Sequence, residues 1–311
     1  MNPKYKILFD KIKEYEAIVI AKHVNPDFDA IGSAYGLKIL IDENFKNKKV
    51  YVVGSNIDDS KILNPDLTDE VFSKALLITC DTANLERVDF DNFDKVKEVF
   101  KIDHHVDGEN FGNYKLVDVN AIACCQVIAH WAMTLNLKIS KGAATHLYKG
   151  IVTDSNRFMY KNTSAQTFLV AAELMNCGID LNEIYDSLYI RKLKIQKWIN
   201  NCFQKAVFDS EIAHIKIYEK DYQNLNLTLD EIKSPLGSIC GIEEIKVSIL
   251  ATEIDGVVKV SLRSKKIPIN EIAKNHGGGG HHLAAACKLS NWKEFETLLL
   301  EVKELIARTN L

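Results

Sequence analysis

No stretch of this 311-residue chain is apolar for long enough to cross a bilayer, and its longest hydrophobic runs are those of buried strands. Residues 1–15, MNPKYKILFDKIKEY, carry charges throughout, so no secretory signal is expected there. Seven cysteines occur without a single C-x-x-C spacing, which argues against a disulfide framework or a zinc ribbon and for reduced thiols in a cytoplasmic protein. A basic excess is also missing. The net charge is −3, whereas a protein that tracks long nucleic acid carries a basic stripe to neutralise many phosphates. No partner of that kind and no membrane is expected, and self-association into a homodimer is left open. An anionic substrate would have to be met locally, by metal ions and a few placed cations. No internal repeat or low-complexity segment stands out beyond a run of four glycines at 277–280.

What is present is an alternation of short β-rich runs with helical patterns. Strands are expected in 17–23, 48–55, 75–81 and 96–105, with helical spacing between the first two. Strands covered on both faces read as continuous apolar runs, so the fold class is α/β with a doubly wound, mainly parallel sheet. Helical patterns follow at 121–136, 141–153, 163–177, 180–190 and 191–207. From about residue 211 the pattern becomes strand-rich, with a hairpin turning at Asp255-Gly256 and a last helix in NWKEFETLLLEVKELIAR. This gives a catalytic domain over 1–190, a helical linker over 191–210 and a smaller α/β domain over 211–311.

Three apolar runs end in carboxylates. IVIAK leads to His23, Asp27 and Asp29, ALLITC to Asp81, and EVFKI to Asp103-His104-His105. A fourth carboxylate, Asp154, closes an apolar helical run in GIVTDSNRF. The carboxyl ends of parallel strands share one edge, where ligands bind, so these distant residues are expected to converge. Taken singly, each has a plainer explanation. An Asp after a strand is commonly a turn residue or a helix cap, and Asp29 before Ala-Ile-Gly-Ser reads equally as an N-cap. The combination favours a site, because six of the nine histidines fall in three clusters: His23, His104/His105 and His276/His281/His282. Converging carboxylates repel one another and call for divalent cations. A mixed histidine and carboxylate set suits manganese best, and a pair of ions about 3.5–4 Å apart activates water and stabilises charge at phosphorus.

These motifs resemble the DHH phosphoesterase family over essentially the whole chain. HVNPDFDAIGS is similar to its first motif, Asp81 in TCDTAN to its second, Asp103-His104-His105 to its third and TDSNRF to its fourth. NHGGGGHHLAAA resembles the glycine-rich signature of the family's accessory domain. The resemblance implies two Mn2+ ions, one held by His23, Asp27 and Asp81, the other by Asp29, Asp81, His104 and Asp154, with Asp81 bridging. It implies Asp103 as the group that orients the His104 imidazole, or stands behind the ligands and tunes its basicity, and His105 as the residue that reaches the substrate phosphate.

In the second domain, Arg263, Gly277, Gly278, Gly279, Gly280, His281 and His282 are the expected substrate contacts. Successive glycines let backbone N–H groups approach an anion, and HLAAACKL is read as the start of a helix that adds its positive end. Arg263 closes a strand and offers a bidentate grip on phosphate. Two sites on two domains imply a cleft admitting only short substrates.

Length and domain content resemble the nanoRNase/pAp phosphatase branch. That branch implies short oligoribonucleotides and 3′-phosphoadenosine 5′-phosphate (pAp) as substrates. The alternatives are a cyclic di-AMP or pApA phosphodiesterase, an inorganic pyrophosphatase or exopolyphosphatase, and a nucleotide-binding module without activity. Two departures bear on loop shape: Ser155-Asn156 where many relatives have Thr-Gly, and Ala286-Cys287 where they close with Ala-Gly.

Overall fold

The computed structural model describes residues 3–58, 60–105 and 109–309, with the backbone alone at His281. The chain divides into two compact units, Met1–Tyr189 and Ile190–Leu311.

The first unit opens with α1 (Pro3–Glu14), followed by β1 (Ala17–Ala21), α2 (Phe28–Asn44), β2 (Lys49–Val52), α3 (Asp69–Phe72), β3 (Leu76–Cys80), β4 (Glu98–Asp103) and β5 (Tyr114–Val117). Helices then dominate: α4 (Cys124–Thr134), α5 (Lys141–Asp154), α6 (Ala165–Asn176) and α7 (Leu181–Tyr189). The five strands form one parallel sheet in the order β2-β1-β3-β4-β5. β1 and β3 are buried at every position, which is why AIVIA and LLITC read as unbroken apolar runs. One face is covered by a core that includes Leu37, Leu40, Ile128, Trp131 and Leu147 from α2, α4 and α5. The other face packs Val19, Leu77 and Val99 against Phe72 of α3 and Phe90 and Phe93 of the following turns. With both faces occupied, the free places are the strand ends. The connections leave β1 in one direction and β3 in the other, so the carboxyl ends of these neighbours flank a crevice at the switch in strand order.

The second unit begins with α8 (Leu193–Gln204) and adds β6 (Val207–Asp209), β7 (Ile212–Ile217), the short helices α9 (Glu219–Tyr222), α10 (Leu229–Lys233) and α11 (Leu236–Ile239), then β8 (Val247–Ile254) and β9 (Val257–Ser264). It closes with α12 (Asn270–Asn275), β10 (Gly279–His281), β11 (Ala284–Leu289) and α13 (Trp292–Thr309). Its mixed six-stranded sheet runs β10-β11-β9-β8-β7-β6. The β8–β9 hairpin turns at Asp255 and Gly256, both with positive φ (52° and 74°), as a two-residue turn matched to strand twist demands. α13 lays Phe295, Leu298, Val302 and Ile306 on one face of the sheet.

Two expectations change here. The 191–210 segment, read as a linker, lies within the second unit, and α8 contributes Trp198 and Cys202 to its core. The HLAAACKL segment is β11, not a helix start. Ala285, Cys287 and Leu289 are buried while Ala286 and Lys288 are exposed, a period of two, and both edges pair with strands. Alanine is the best helix former, but two ladders of hydrogen bonds override that preference.

Candidate active site at the carboxyl edge of the parallel sheet

The strand ends bring the expected residues together. Each of three groups, His23/Asp27/Asp81, Asp29/His104/Asp154 and Asp81/His104/His105, has ligand atoms within 4.8 Å of one another. Asp81 is the junction. Its Oδ2 lies 3.6 Å from His23 Nε2 and its Oδ1 lies 3.4 Å from His104 Nε2. The backbone at Asp81 has φ 53°, an unusual left-handed conformation for a residue that is not glycine, and strain of this kind is characteristic of functional positions.

Each imidazole is oriented by a backbone or carboxylate oxygen. His23 Nδ1 lies 2.9 Å from the Val24 carbonyl, and His104 Nδ1 lies 3.3 Å from that of Ala121. An Nδ1–H donated to these carbonyls leaves the lone pair on Nε2, the nitrogen that faces the carboxylates. His104 Nε2 stands 3.8 Å from Asp29 and 3.4 Å from Asp154. Asp103, fully buried, accepts at Oδ1 from the backbone N–H groups of His104 and His105 and contacts His105 Nδ1 at 2.9 Å. The ring it orients is therefore that of His105 and not, as expected, that of His104, whose Nδ1 is taken by the Ala121 carbonyl.

Asp27 serves twice. Its Oδ1 accepts the N–H groups of Asp29 and Ala30 and so caps α2, while its Oδ2 lies 3.9 Å from His23 Nε2. The N-cap is therefore Asp27, and Asp29 is a buried first-turn residue turned towards the cluster. Gly150 lets α5 pass close beneath it, since a Cβ there would stand 2.8 Å from Asp29 Oδ1 and 2.3 Å from Cys125 Sγ.

The electrostatics are those of crowded charge. Burial and the Asp81 charge push Asp29 up to about 7, and burial and Asp29 push Asp154 up to about 8. Burial opposes charge at Asp81 too, but His104 and His23 hold its carboxyl far below the usual range. Burial likewise opposes the charged form of His104, and Asp81 and Asp29 outweigh it, raising the imidazole to about 10. The donor set fits divalent metal: imidazole Nε2 atoms and carboxylates converge, and Asp81 Oδ1, buried, has no hydrogen-bond partner.

In the second unit, the register places Arg263 and His281 on either side of Ala284 in one cross-strand row. Arg263 and His282 are exposed, and the His281 side chain lies outside the described residues. Gly277 and Gly280 have φ 69° and 134°, and Gly278 lies against Ala286 and Cys287. The first of the two departures has a structural reading. Asn156 has φ 47°, a left-handed conformation that glycine and then asparagine tolerate best, so it keeps the loop that a glycine would make.

Sequence reasoning missed four contributors. Lys22 and Lys101 are fully buried beside the strand ends, bonded to the carbonyls of Val53 and Ala83. Lys101 Nζ also lies 3.4 Å from Asp103 Oδ2. A lysine inside an otherwise apolar strand was the available signal. The third is the amino end of α4, whose backbone donors hold Asp29, and the fourth is Arg87, whose Nη2 lies 3.3 Å from His23 Nδ1.

A parallel sheet whose carboxyl edge gathers imidazoles and carboxylates able to hold metal defines a candidate metal centre of an α/β protein. Residues 17–151 match the model of the DHH family, N-terminal domain, and residues 214–308 that of the DHHA1 domain. A curated relative from Streptococcus mutans serotype c, "Probable bifunctional oligoribonuclease and PAP phosphatase NrnA", is 36% identical, covering 97% of this chain and 99% of its own. The "Bifunctional oligoribonuclease and PAP phosphatase NrnA" of Bacillus subtilis is 30% identical, covering 96% and 97%. The crystal structure of an exopolyphosphatase-related protein from Bacteroides fragilis superposes with a TM-score of 0.88 at 23% identity, covering 99% and 98%, and shares the fold. The chain belongs to the DHH phosphoesterase family. Among the described residues, no helix is long and apolar enough to cross a membrane, and all seven cysteines are unpaired.

Proposed function

We propose that this protein is a manganese-dependent phosphoesterase of the cytoplasm that hydrolyses short oligoribonucleotides to mononucleotides and removes the 3′-phosphate of pAp. The observation that carries the reading is Asp81, whose two oxygens face two different donor sets at 3.6 and 3.4 Å. His23, Asp27 and Asp81 would hold one ion, and Asp29, Asp81, His104 and Asp154 the second. Manganese suits this mixture of imidazole and carboxylate. Bound there, a pair of divalent ions supplies an activated water and Lewis-acid stabilisation of charge at phosphorus.

The chain's own residues do the rest. Asp103 fixes the His105 ring through Nδ1, and Nε2 meets the substrate, stabilising phosphate charge or protonating the leaving oxygen. Arg263, the Gly277–Gly280 backbone, His281 and His282 would hold the nucleotide. The glycine backbone and the arginine suit an anion. The substrate class is supported by the full-length relatives, whose names carry both activities. The net charge of −3 supports short substrates over long nucleic acid.

The test is a panel with Mn2+: pAp, di- to pentaribonucleotides, a twenty-mer, cyclic di-AMP, pApA and pyrophosphate. Turnover of pAp and the shortest oligomers well above the rest is expected. Asp81→Ala should abolish both activities together. Retention of either by that variant, or a preference for the twenty-mer, would overturn the reading.

A further inference from the structure

The loop after β3 carries Arg87 to the His23 side of the cluster and fixes it there. Val24 N–H donates to the Arg87 carbonyl at 2.8 Å, Asp89 N–H to that of Lys22 at 2.8 Å, and His23 and Val88 form a bridge between the two segments. The loop is held from its other side by Glu109, which accepts the Leu85 N–H at 2.7 Å. Its backbone is therefore tied to the segment that supplies His23 and Asp27.

The Arg87 side chain is exposed, and its Nη2 stands 3.3 Å from His23 Nδ1. A guanidinium has donors only. The tautomer in which His23 presents its Nε2 lone pair to the cluster carries its proton on Nδ1, already directed to the Val24 carbonyl at 2.9 Å. Two donors then face each other, and His23 gives Arg87 no acceptor. Among the described residues, no carboxylate lies within ion-pair distance of Arg87 either. Lys22 and Lys101, the other cations nearby, are buried and bonded to carbonyls. Arg87 is thus a preplaced cation with unspent donors at the rim of a site for an anionic substrate.

We propose that Arg87 receives a non-bridging oxygen of the substrate phosphate on the His23 side of the cluster. The inference rests on the metal-dependent phosphoesterase reading and adds a substrate contact to the first unit.

Calorimetric titration of inorganic phosphate into the manganese-loaded wild type, Arg87→Ala and Arg87→Lys tests it, each after a titration with Mn2+ alone. The Mn2+ isotherms should superimpose. The phosphate Kd should rise about ten- to a hundredfold in Arg87→Ala, the range of hydrogen bonds to charged groups, and less in Arg87→Lys, which keeps the charge without the fork. Unchanged phosphate affinity in Arg87→Ala overturns the proposal. So does a fall in Mn2+ affinity that matches the fall in phosphate affinity, since Arg87 would then act on His23, and so does a loaded wild type that takes up no phosphate. Because phosphate binding is read and not turnover, a wild type that cleaves nothing in the substrate panel yet binds phosphate through Arg87 sinks the substrate reading and spares this one.

Discussion

The carboxylate of Asp29 accepts the backbone N–H of Cys124 at 2.7 Å, across 95 positions of the chain, and that of Cys125 at 2.9 Å. Both oxygens are thereby fixed by the first turn of α4, whose positive end also favours the negative charge. The relationship is carried by backbone, so the side chain of residue 124 is not what matters. Proline is well suited to the first helical position, and Ala123 before it is already extended (φ −153°, ψ 151°). Cys124→Pro should keep the helix, delete one donor to Asp29 and weaken metal binding about ten- to a hundredfold, the usual cost of losing a group that orients a ligand. Cys124→Ala keeps the N–H and should bind metal as the wild type does. Calorimetry on the two variants decides the point, and equal losses would show that the thiol, not the N–H, is responsible.

Asp154 illustrates the cost of gathering carboxylates in one buried place. Its folded proton affinity is raised to about 8, by burial first and by Asp29 next, against an ordinary 3.8. Between those values the unfolded chain has released its proton while the folded chain keeps it, so this group lowers stability as pH rises from about 4 to 8. Asp154→Asn removes the titration. The metal-free variant should melt at a higher temperature than metal-free wild type near pH 7.5, and the gap should narrow as pH falls towards 4. Mn2+ should raise the wild-type melting temperature, as any ligand of the native state does, and the variant's far less. A variant that melts lower at pH 7.5 would mean that its contact with His104 outweighs the crowding.

Much of this site is legible in the sequence, for one physical reason. β1 and β3 are buried on both faces and so announce themselves as apolar runs, and each run stops where His23 and Asp81 emerge. Convergence then follows from the shared edge of a parallel sheet. What stayed hidden was carried by backbone or by long side chains in unusual places. The α4 donors to Asp29 leave no trace in residue identity, and Lys22 and Lys101 look like exposed charges until their strands are known to be interior. Asp27 shows that capping a helix and facing the cluster are not exclusive, since each of its oxygens has its own task. β11 does not announce itself as a strand because Ala284–Ala286 carries so little side chain that a strand's alternation barely registers.

The glycine run separates into packing and open positions. A Cβ at Gly278 would stand 2.1 Å from the Ala286 carbonyl oxygen and 2.6 Å from Cys287 Cα, whereas one at Gly279 meets nothing within 4 Å. Gly278→Ala should therefore force β10 away from the neighbouring strand and destabilise the second unit by about 2 kcal/mol or more, the scale of core overpacking. Gly279→Ala should leave stability nearly unchanged. If its open surface is where a nucleotide lies, KM for pAp should rise in that variant with kcat little altered. Urea unfolding and steady-state kinetics on the pair separate the two roles, and a stable Gly278→Ala protein would contradict the packing assignment.

Lys22 gives a stability signature of the opposite slope. It is fully buried at the end of β1 with Nζ 2.9 Å from the Val53 carbonyl, and burial lowers it from 10.5 to about 8, with Asp89 only partly offsetting the loss. At pH between about 8 and 10.5 the unfolded chain binds a proton that the folded chain has released, so this group makes stability rise with pH across that window. Each tenfold change in proton affinity is worth about 1.4 kcal/mol, which puts the gain on the order of 2–3 kcal/mol. Lys22→Met keeps the length of the side chain and has no proton to lose. Urea unfolding of both proteins at intervals from pH 7.5 to 10.5 isolates the contribution, because tyrosine and cysteine titrations common to both cancel in the difference. The wild type should gain stability relative to Lys22→Met as pH rises, and a flat difference would place the Lys22 ammonium in contact with water instead of sealed beneath the strand ends.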